Sequence, residues 1–372
     1  MSYSRSSTDV FIIGGGPAGL AAAIAARKKG FDVIVADGSA PPIEKPCGEG
    51  MMPETLAALK TMGVELSPTQ GHKFPGICFV QEGASVCADF PQEPGLGLRR
   101  TLLHERMVAR AEQCGVQCLW KTPVTGIDSE GVHLSRAKIR ARSIVGADGL
   151  GSRVRRWSGL EGTRRRNQRF ATRRRYRVRP WSNHMQIHWG AHAQAYVTPM
   201  GADEVCIVLL AEHVEHNSFD AALQEFPELA QRLVGGEVIS RERGAVTATR
   251  SLYNVHRGNV ALIGDASGSV DAITGEGLLL AFRQASALAD AMAANDLRPY
   301  QQAHRALARR PTLMSDLTLW LGRHPRIRAR SIRALQGRPD LFARLLAIHV
   351  ATPDSAEILS AGATLGWSLL DI

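Results

Sequence analysis

Gly14, Gly16 and Gly19 follow the apolar run Val10-Phe11-Ile12-Ile13 and lead through Pro17 and Ala18 into an alanine-rich segment. That pattern answers a phosphate problem. Gly14 permits a tight turn, Gly16 lets the backbone approach a pyrophosphate, and Gly19 lets a helix pack close against the preceding strand. The unpaired N–H groups at the helix start then face the diphosphate. Asp37 ends a second apolar run about 20 residues on, where a carboxylate accepts ribose hydroxyls. The segment reads as a dinucleotide site.

Other segments carry less chemistry when taken alone. Ile144-Val145-Gly146-Ala147-Asp148-Gly149 is an apolar run ending in Asp-Gly. Asn259-Val260-Ala261-Leu262-Ile263-Gly264-Asp265-Ala266 ends in Gly-Asp and is followed by Thr274-Gly275-Glu276-Gly277. In Pro46-Cys47-Gly48-Glu49-Gly50, two glycines around an acidic residue make a loop that brings backbone close to a flat partner. There the Cys47 thiol would shape a pocket and Glu49 would orient substrate or relay a proton; a space-filling cysteine is the competing reading. His184, His188 and His192 recur every four residues, but Met185, Ile187 and Trp189 alternate with their neighbours at the period of a strand. Cys114 and Cys118 lack a matching histidine pair, so no metal site is expected.

Elements must hold these residues in place. Val10 to Ile13 and Asp32 to Ala36 read as strands, with a helix over Ala18 to Lys29 closed by Gly30. Phe74 to Phe90 holds two alternating runs around Gly83, a hairpin signal. Arg173 to Val178, Met185 to Trp189 and Val205 to Leu210 are further strands. Beyond Pro311 the pattern turns helical, with Leu313, Leu317, Trp320 and Leu321 sharing one face and Leu341, Leu345 and Ile348 another.

In this order and at these separations, the three glycine-acid segments resemble the FAD-binding motifs of the para-hydroxybenzoate hydroxylase and geranylgeranyl reductase superfamily of flavoproteins. The resemblance covers most of the chain up to residue 300. It implies an α/β fold: a Rossmann-like FAD-binding domain of the GR2 type, an inserted antiparallel β-sheet substrate domain, and a C-terminal helical segment. The FAD domain is expected to be discontinuous, over residues 1–66, 98–159 and 255–295. The substrate domain takes 67–97 and 160–254, and the helical region 296–372. By the same resemblance Gly14, Gly16, Pro17, Ala18, Gly19 and Asp37 hold the ADP half. Arg100 pairs with the diphosphate or ribityl chain, Asp148 helps to organise the site, and Asp265 beside Gly264 accepts from the ribityl hydroxyls. Gly275 and Gly277 let a helix start face the flavin, while the Cys47 and Glu49 loop adjoins its ring. The inserted sheet forms the substrate chamber, with Trp189 and Tyr196 as wall candidates against the simpler reading of sheet packing.

Two chemistries suit such a fold, and the motifs divide between them. Cys47-Gly48-Glu49-Gly50 and Thr274-Gly275-Glu276-Gly277 look like the reductases, which deliver a hydride to an isoprenoid C=C bond. The reductases' Tyr-x-Trp-x-Phe-Pro element is reduced here to Ala195-Tyr196-Val197-Thr198-Pro199. The histidine and proline of many hydroxylases are replaced by Ser267 and Ala272. Oxygenation of a hydrophobic aromatic or polyketide-like molecule is the first expectation, C=C reduction the alternative, and a non-catalytic nucleotide-binding protein the reading from another class. No second G-x-G-x-x-G is present, so NAD(P)H is expected as a transient electron donor without a domain of its own, with a protein donor as the other option.

Bulk properties bound the rest. The 372 residues suit two packed units. No apolar run is long enough for a membrane span and no signal-peptide core is seen, so a cytoplasmic protein is expected, with peripheral contact at the inner face of the membrane as an option. Six scattered cysteines suggest reduced thiols. The net charge of +10 gathers in Arg153 to Arg179, including Arg164-Arg165-Arg166 and Arg173-Arg174-Arg175, and in Arg305 to Arg344. No recognition motif accompanies these runs, so nucleic acid is disfavoured. An anionic membrane surface, an acidic carrier or a redox partner suits the field better.

Overall fold

A parallel sheet brings the motif segments together. In a computed structural model, which describes residues 6–67, 69–81, 83–212 and 218–350, the parallel strands of this eight-stranded sheet run in the order Val260–Leu262, Lys138–Gly146, Ser7–Ile13, Val33–Ala36, Gln117–Leu119. Ile13 pairs with both Gly146 and Ala36, and Gly146 pairs with Leu262. Register therefore places the loops at Gly14, Asp37, Asp148 and Gly264 side by side at the carboxyl ends of adjacent strands, where open α/β sheets bind ligands. The central strand is buried on both faces, which its unbroken Val-Phe-Ile-Ile run requires. Helix Pro17–Lys28 packs its alanines against helix Gly277–Ala293, both on one face of the sheet.

The second sheet is largely antiparallel. Its order is Glu237–Val238, Thr163–Arg177, Glu204–Ala211, Ala193–Pro199, Met185–Trp189, Gly76–Gln81, Ala84–Asp89, with Arg243–Leu252 also paired to the long arginine-rich strand. The expected hairpin forms around Gly83, and the strand expected from Arg173 starts earlier, at Thr163. One face carries Tyr176, Val197, Ile207 and Leu209 under the short helices Phe219–Leu223 and Pro227–Arg232. The opposite face meets Ile273, Leu319, Ile332 and Phe342 from the nucleotide half and the C-terminal helices. The side chains of Arg164, Arg165 and Arg166, and residues 351–372, lie outside the described residues.

Two expectations are corrected. Helix Arg298–Arg323 continues unbroken through Pro311, because Tyr300, His304, Pro311, Ser315 and Leu319 form one buried face whose packing outweighs the lost backbone bond. Leu313, Leu317 and Trp320 consequently point outward, 56%, 49% and 44% exposed. Cys78 and Cys87, expected as thiols, are disulfide-bonded. They stand directly opposite each other in the hairpin, a proximity that sequence spacing does not reveal.

Candidate active site

The three fingerprint glycines divide by what surrounds them. At Gly14, with φ +113°, a Cβ would collide with the Ala147 carbonyl, and at Gly19 with the Gly14 carbonyl. At Gly16 a Cβ would meet nothing within 4 Å. Packing therefore demands Gly14 and Gly19, while Gly16 stands open at the first turn of a helix that begins with Pro17 and Ala18 and has no side-chain cap. Asp37 accepts the Gly15 N–H on Oδ2 at 2.8 Å and the Ser39 N–H on Oδ1 at 2.7 Å. It shapes the glycine loop and keeps lone pairs for a ribose. His104 and Trp120, which the motif reading missed, brace the same loop. The His104 Nε2 lies 2.8 Å from the Gly15 carbonyl, and the Trp120 ring fills the space a side chain at Gly15 would need. Burial lowers the His104 pKa, so the neutral ring donates from Nε2 and accepts the Ile43 N–H on Nδ1.

Asp148 acts through its own loop. It accepts from Ser152 Oγ at 2.5 Å and from the N–H groups of Arg153 and Val154 at 2.7 and 3.1 Å, fixing the start of helix Arg153–Trp157. Buried Arg155 then donates to the Leu150 and Ala266 carbonyls, tying this loop to the Gly264 turn. Gly264, at φ +59°, gives its N–H to Gln284, and Asp265 beside it is exposed. Gly275, at φ +68°, and Gly277 open helix Gly277–Ala293, whose start carries no side-chain cap. Glu276 between them is buried, which raises its pKa to about 7 against the opposing pull of Arg310 and Arg283.

An arginine ladder joins the two halves. Arg169, Arg173 and Arg175 alternate along strand Thr163–Arg177 and meet carboxylates from the nucleotide half. Arg169 grips both oxygens of Asp271 and donates to Gln194 at 2.8 Å. Arg173 reaches Glu44 at 2.5 Å. Arg175 donates to both oxygens of Glu49 at 2.7 and 2.6 Å, and Glu49 also accepts the Arg100 N–H at 2.9 Å. With both oxygens engaged, Glu49 has the geometry of a clamp on the loop rather than of a free proton carrier. Cys47 is half-buried: its Sγ accepts the Glu49 N–H at 3.5 Å, and its carbonyl lies 3.9 Å from the Cys206 thiol. Tyr196 donates its hydroxyl to the Ile273 carbonyl at 2.9 Å, at the loop that leads to Gly275. Trp189 is turned toward the C-terminal helices, edge-on to Phe79 and under the Arg328 guanidinium, so only Tyr196 of the two wall candidates touches this loop. The ladder arginines, Glu44 and Asp271 were visible only as charges in the sequence; their alternation along one strand is the signal that could have found them.

The residues present fit FAD. The Arg100 Nε is buried without a partner among the described residues, beside an open Gly16 and two uncapped helix starts. Those donors suit a diphosphate at one end and the electron-rich edge of a flavin at the other. A cavity of about 470 Å³ lined by Ser7, Asp128, Arg140 and Asn259 lies at the opposite, amino-terminal ends of the strands and takes no part in this site.

The chain is similar to known proteins over most of its length. The family model described as "FAD binding domain" matches residues 7–301. A menaquinone reductase of Mycobacterium tuberculosis is similar, at 28% identity over 298 residues, 73% of each chain. A digeranylgeranylglycerophospholipid reductase of Methanocella arvoryzae is 26% identical over 329 residues, 82% of each. Among solved structures, a triple mutant of a flavin-dependent brominase superposes with a TM-score of 0.80 at 20% identity, covering 97% of this chain and 99% of its own. A geranylgeranyl bacteriochlorophyll reductase-like protein from Thermoplasma acidophilum gives 0.74 at 19% identity, covering 99% and 98%.

Proposed function

We propose, from the premise that the chain belongs to the FAD binding domain family and is an FAD-dependent oxidoreductase, that it reduces a C=C bond of a hydrophobic, isoprenoid-like substrate. The observation that supports this reading is the buried apolar cluster beside the loop leading to Gly275. Ile273, whose carbonyl Tyr196 caps, joins Met52, Phe74, Met185, Tyr196, Met200 and Val208 in one buried cluster. Apolar packing of this kind keeps water from the loop, and a hydrocarbon substrate would lie against it. The relatives, menaquinone and digeranylgeranylglycerophospholipid reductases by name, point the same way. FAD bound here supplies two-electron chemistry, a hydride to carbon in the reductive reading.

The chain's own residues do the positioning. Asp37 and Gly16 receive the ADP half, Arg100 the diphosphate or ribityl region, and Asp265 the ribityl hydroxyls. The open helix start at Gly275 and Gly277 stabilises negative charge on the flavin. Glu49 holds the Cys47 loop against the sheet through Arg175, and Cys47 borders the reacting face. NAD(P)H is the donor we propose, docking transiently. The outward stripe Leu313, Leu317 and Trp320, flanked by exposed Arg309, Arg323, Arg326 and Arg330, is proposed to rest on an anionic membrane surface from the cytoplasmic side. Among the described residues no helix is long and apolar enough to cross a membrane.

Oxygenation of an aromatic substrate is the second reading, favoured by the reduced Ala195-Tyr196-Val197-Thr198-Pro199 element. Anaerobic FAD-reduced enzyme mixed with geranylgeraniol, whose only reducible groups are its C=C bonds, separates the two. Reoxidation of the flavin without oxygen, with a product two hydrogens heavier, supports reduction. Reoxidation only on admitting oxygen, with one oxygen atom in the product, supports oxygenation and overturns the first reading.

A further inference from the structure

Of the three ladder arginines, Arg173 is the one left short of partners. Arg169 and Arg175 each hold a carboxylate through two nitrogens. Arg173 is fully buried, makes one contact at 2.5 Å to Glu44, and leaves Nε and Nη1 without partners among the described residues. Glu44 in turn is shared. Arg243 reaches it at 3.1 Å and Arg175 at 3.8 Å, and its side chain is 27% exposed on the loop leading to Cys47. Three guanidinia thus converge on one carboxylate that belongs to a surface loop, with donors to spare. A buried cation in that state is poorly compensated, and a ligand bearing more oxygens and more charge would satisfy it better.

The row of residues across the sheet says what else that ligand carries. Arg173 lies opposite Val208, Val208 opposite Tyr196, and Tyr196 opposite Ile187, so all share one face. A guanidinium therefore stands one strand, about 4.8 Å, from the apolar wall beside the flavin loop.

We infer that Arg173, with Arg175 and Arg243, is a receptor for the anionic head, phosphate or carboxylate, of an amphiphilic substrate, and that Glu44 occupies this receptor until the head displaces it. The apolar body then lies on Val208 and Tyr196. This deepens the proposed function and rests on its hydrophobic-substrate reading.

Titration calorimetry on the FAD-loaded full chain tests it, with decyl phosphate, decanoate and neutral decanol as probes. Both anions should bind at least about tenfold more tightly than decanol, and the stronger of the two identifies the head group. R173M should abolish that preference while keeping FAD. E44Q, which removes the resident competitor, should tighten anion binding several-fold and raise its rate of onset. Loss of FAD from R173M, or unchanged or weaker anion binding in E44Q, overturns the inference. E44Q decides the matter if R173M does not fold. Tighter decyl phosphate binding by E44Q in a protein whose reduced flavin ignores isoprenoids would leave the receptor standing and remove the proposed reaction instead.

Discussion

Gly16 and Gly19 occupy the same motif for different reasons, and a substitution separates them. Gly16→Val should fold with a melting temperature near the parent yet bind FAD at least about a hundredfold more weakly, since its Cβ meets nothing in the protein and only the pyrophosphate would feel it. Gly19→Val should fail to fold, because the added atoms collide with the Gly14 carbonyl. Circular dichroism beside flavin absorbance reads both; a Gly16→Val protein that stays yellow would move the diphosphate elsewhere. Glu276 makes a prediction about pH. Burial raises it from an ordinary 4.5 to about 7, so across that interval the native state holds a proton that the unfolded chain has released. Its contribution to stability is intact below about 4.5, falls as pH rises, and levels off above about 7, a loss on the order of 3 kcal/mol. Glu276→Gln should flatten that fall in urea midpoints between pH 5 and 8. Facing Glu54, also raised by burial, adds to the slope, while Arg310 and Arg283 oppose it.

Among the elements, helix Arg298–Arg323 departs most from expectation. Its period predicts an amphipathic helix, and the structure turns three of its large apolar residues to solvent because Pro311, Ser315 and Leu319 take the buried side. An apolar stripe with arginines along its edge suits an interface of headgroups and acyl chains. Sedimentation with phosphatidylglycerol vesicles should carry the protein down in low salt, phosphatidylcholine vesicles should not, and Leu317→Glu with Trp320→Glu should cut the bound fraction about tenfold. Equal and negligible binding to both vesicles would leave the arginines as solubility residues.

At the scale of the whole molecule, the nucleotide half and the arginine-rich sheet are joined through buried ion pairs as well as apolar packing. Glu49 and Arg175 lie 126 residues apart in the chain and meet with both side chains nearly inaccessible. Breaking one partner of such a pair strands the other's charge, costing about 3–5 kcal/mol, whereas replacing both with apolar residues costs much less. Glu49→Leu should therefore destabilise the protein by that amount in urea denaturation and loosen FAD through the lost Arg100 contact. Glu49→Leu with Arg175→Leu should recover most of the stability. A double variant no better than the single would show that the loop, not the charge, was lost.

The glycine turn proposed to take the phosphates was legible in the residues because its geometry is local: a turn, a helix start and a carboxylate one strand away fix their own arrangement within about 30 residues. Asp148 and Asp265 were recognisable as ends of strands, but the partners of each were not. The structure spends Asp148 on a helix cap and leaves Asp265 exposed. Glu49 shows the limit most plainly. Its glycine neighbours announce a loop, yet whether its carboxylate carries protons or clamps a strand depends on Arg175, which no local pattern connects to it. The same holds for Arg173 and Glu44, for the disulfide across the hairpin, and for the outward stripe of the C-terminal helix. Local sequence determines which backbone turns and periods are possible, since those energies act over a few residues. Pairings across a hundred residues are decided only when the sheets close, because burial sets the strength of a charge contact and direction sets its partner.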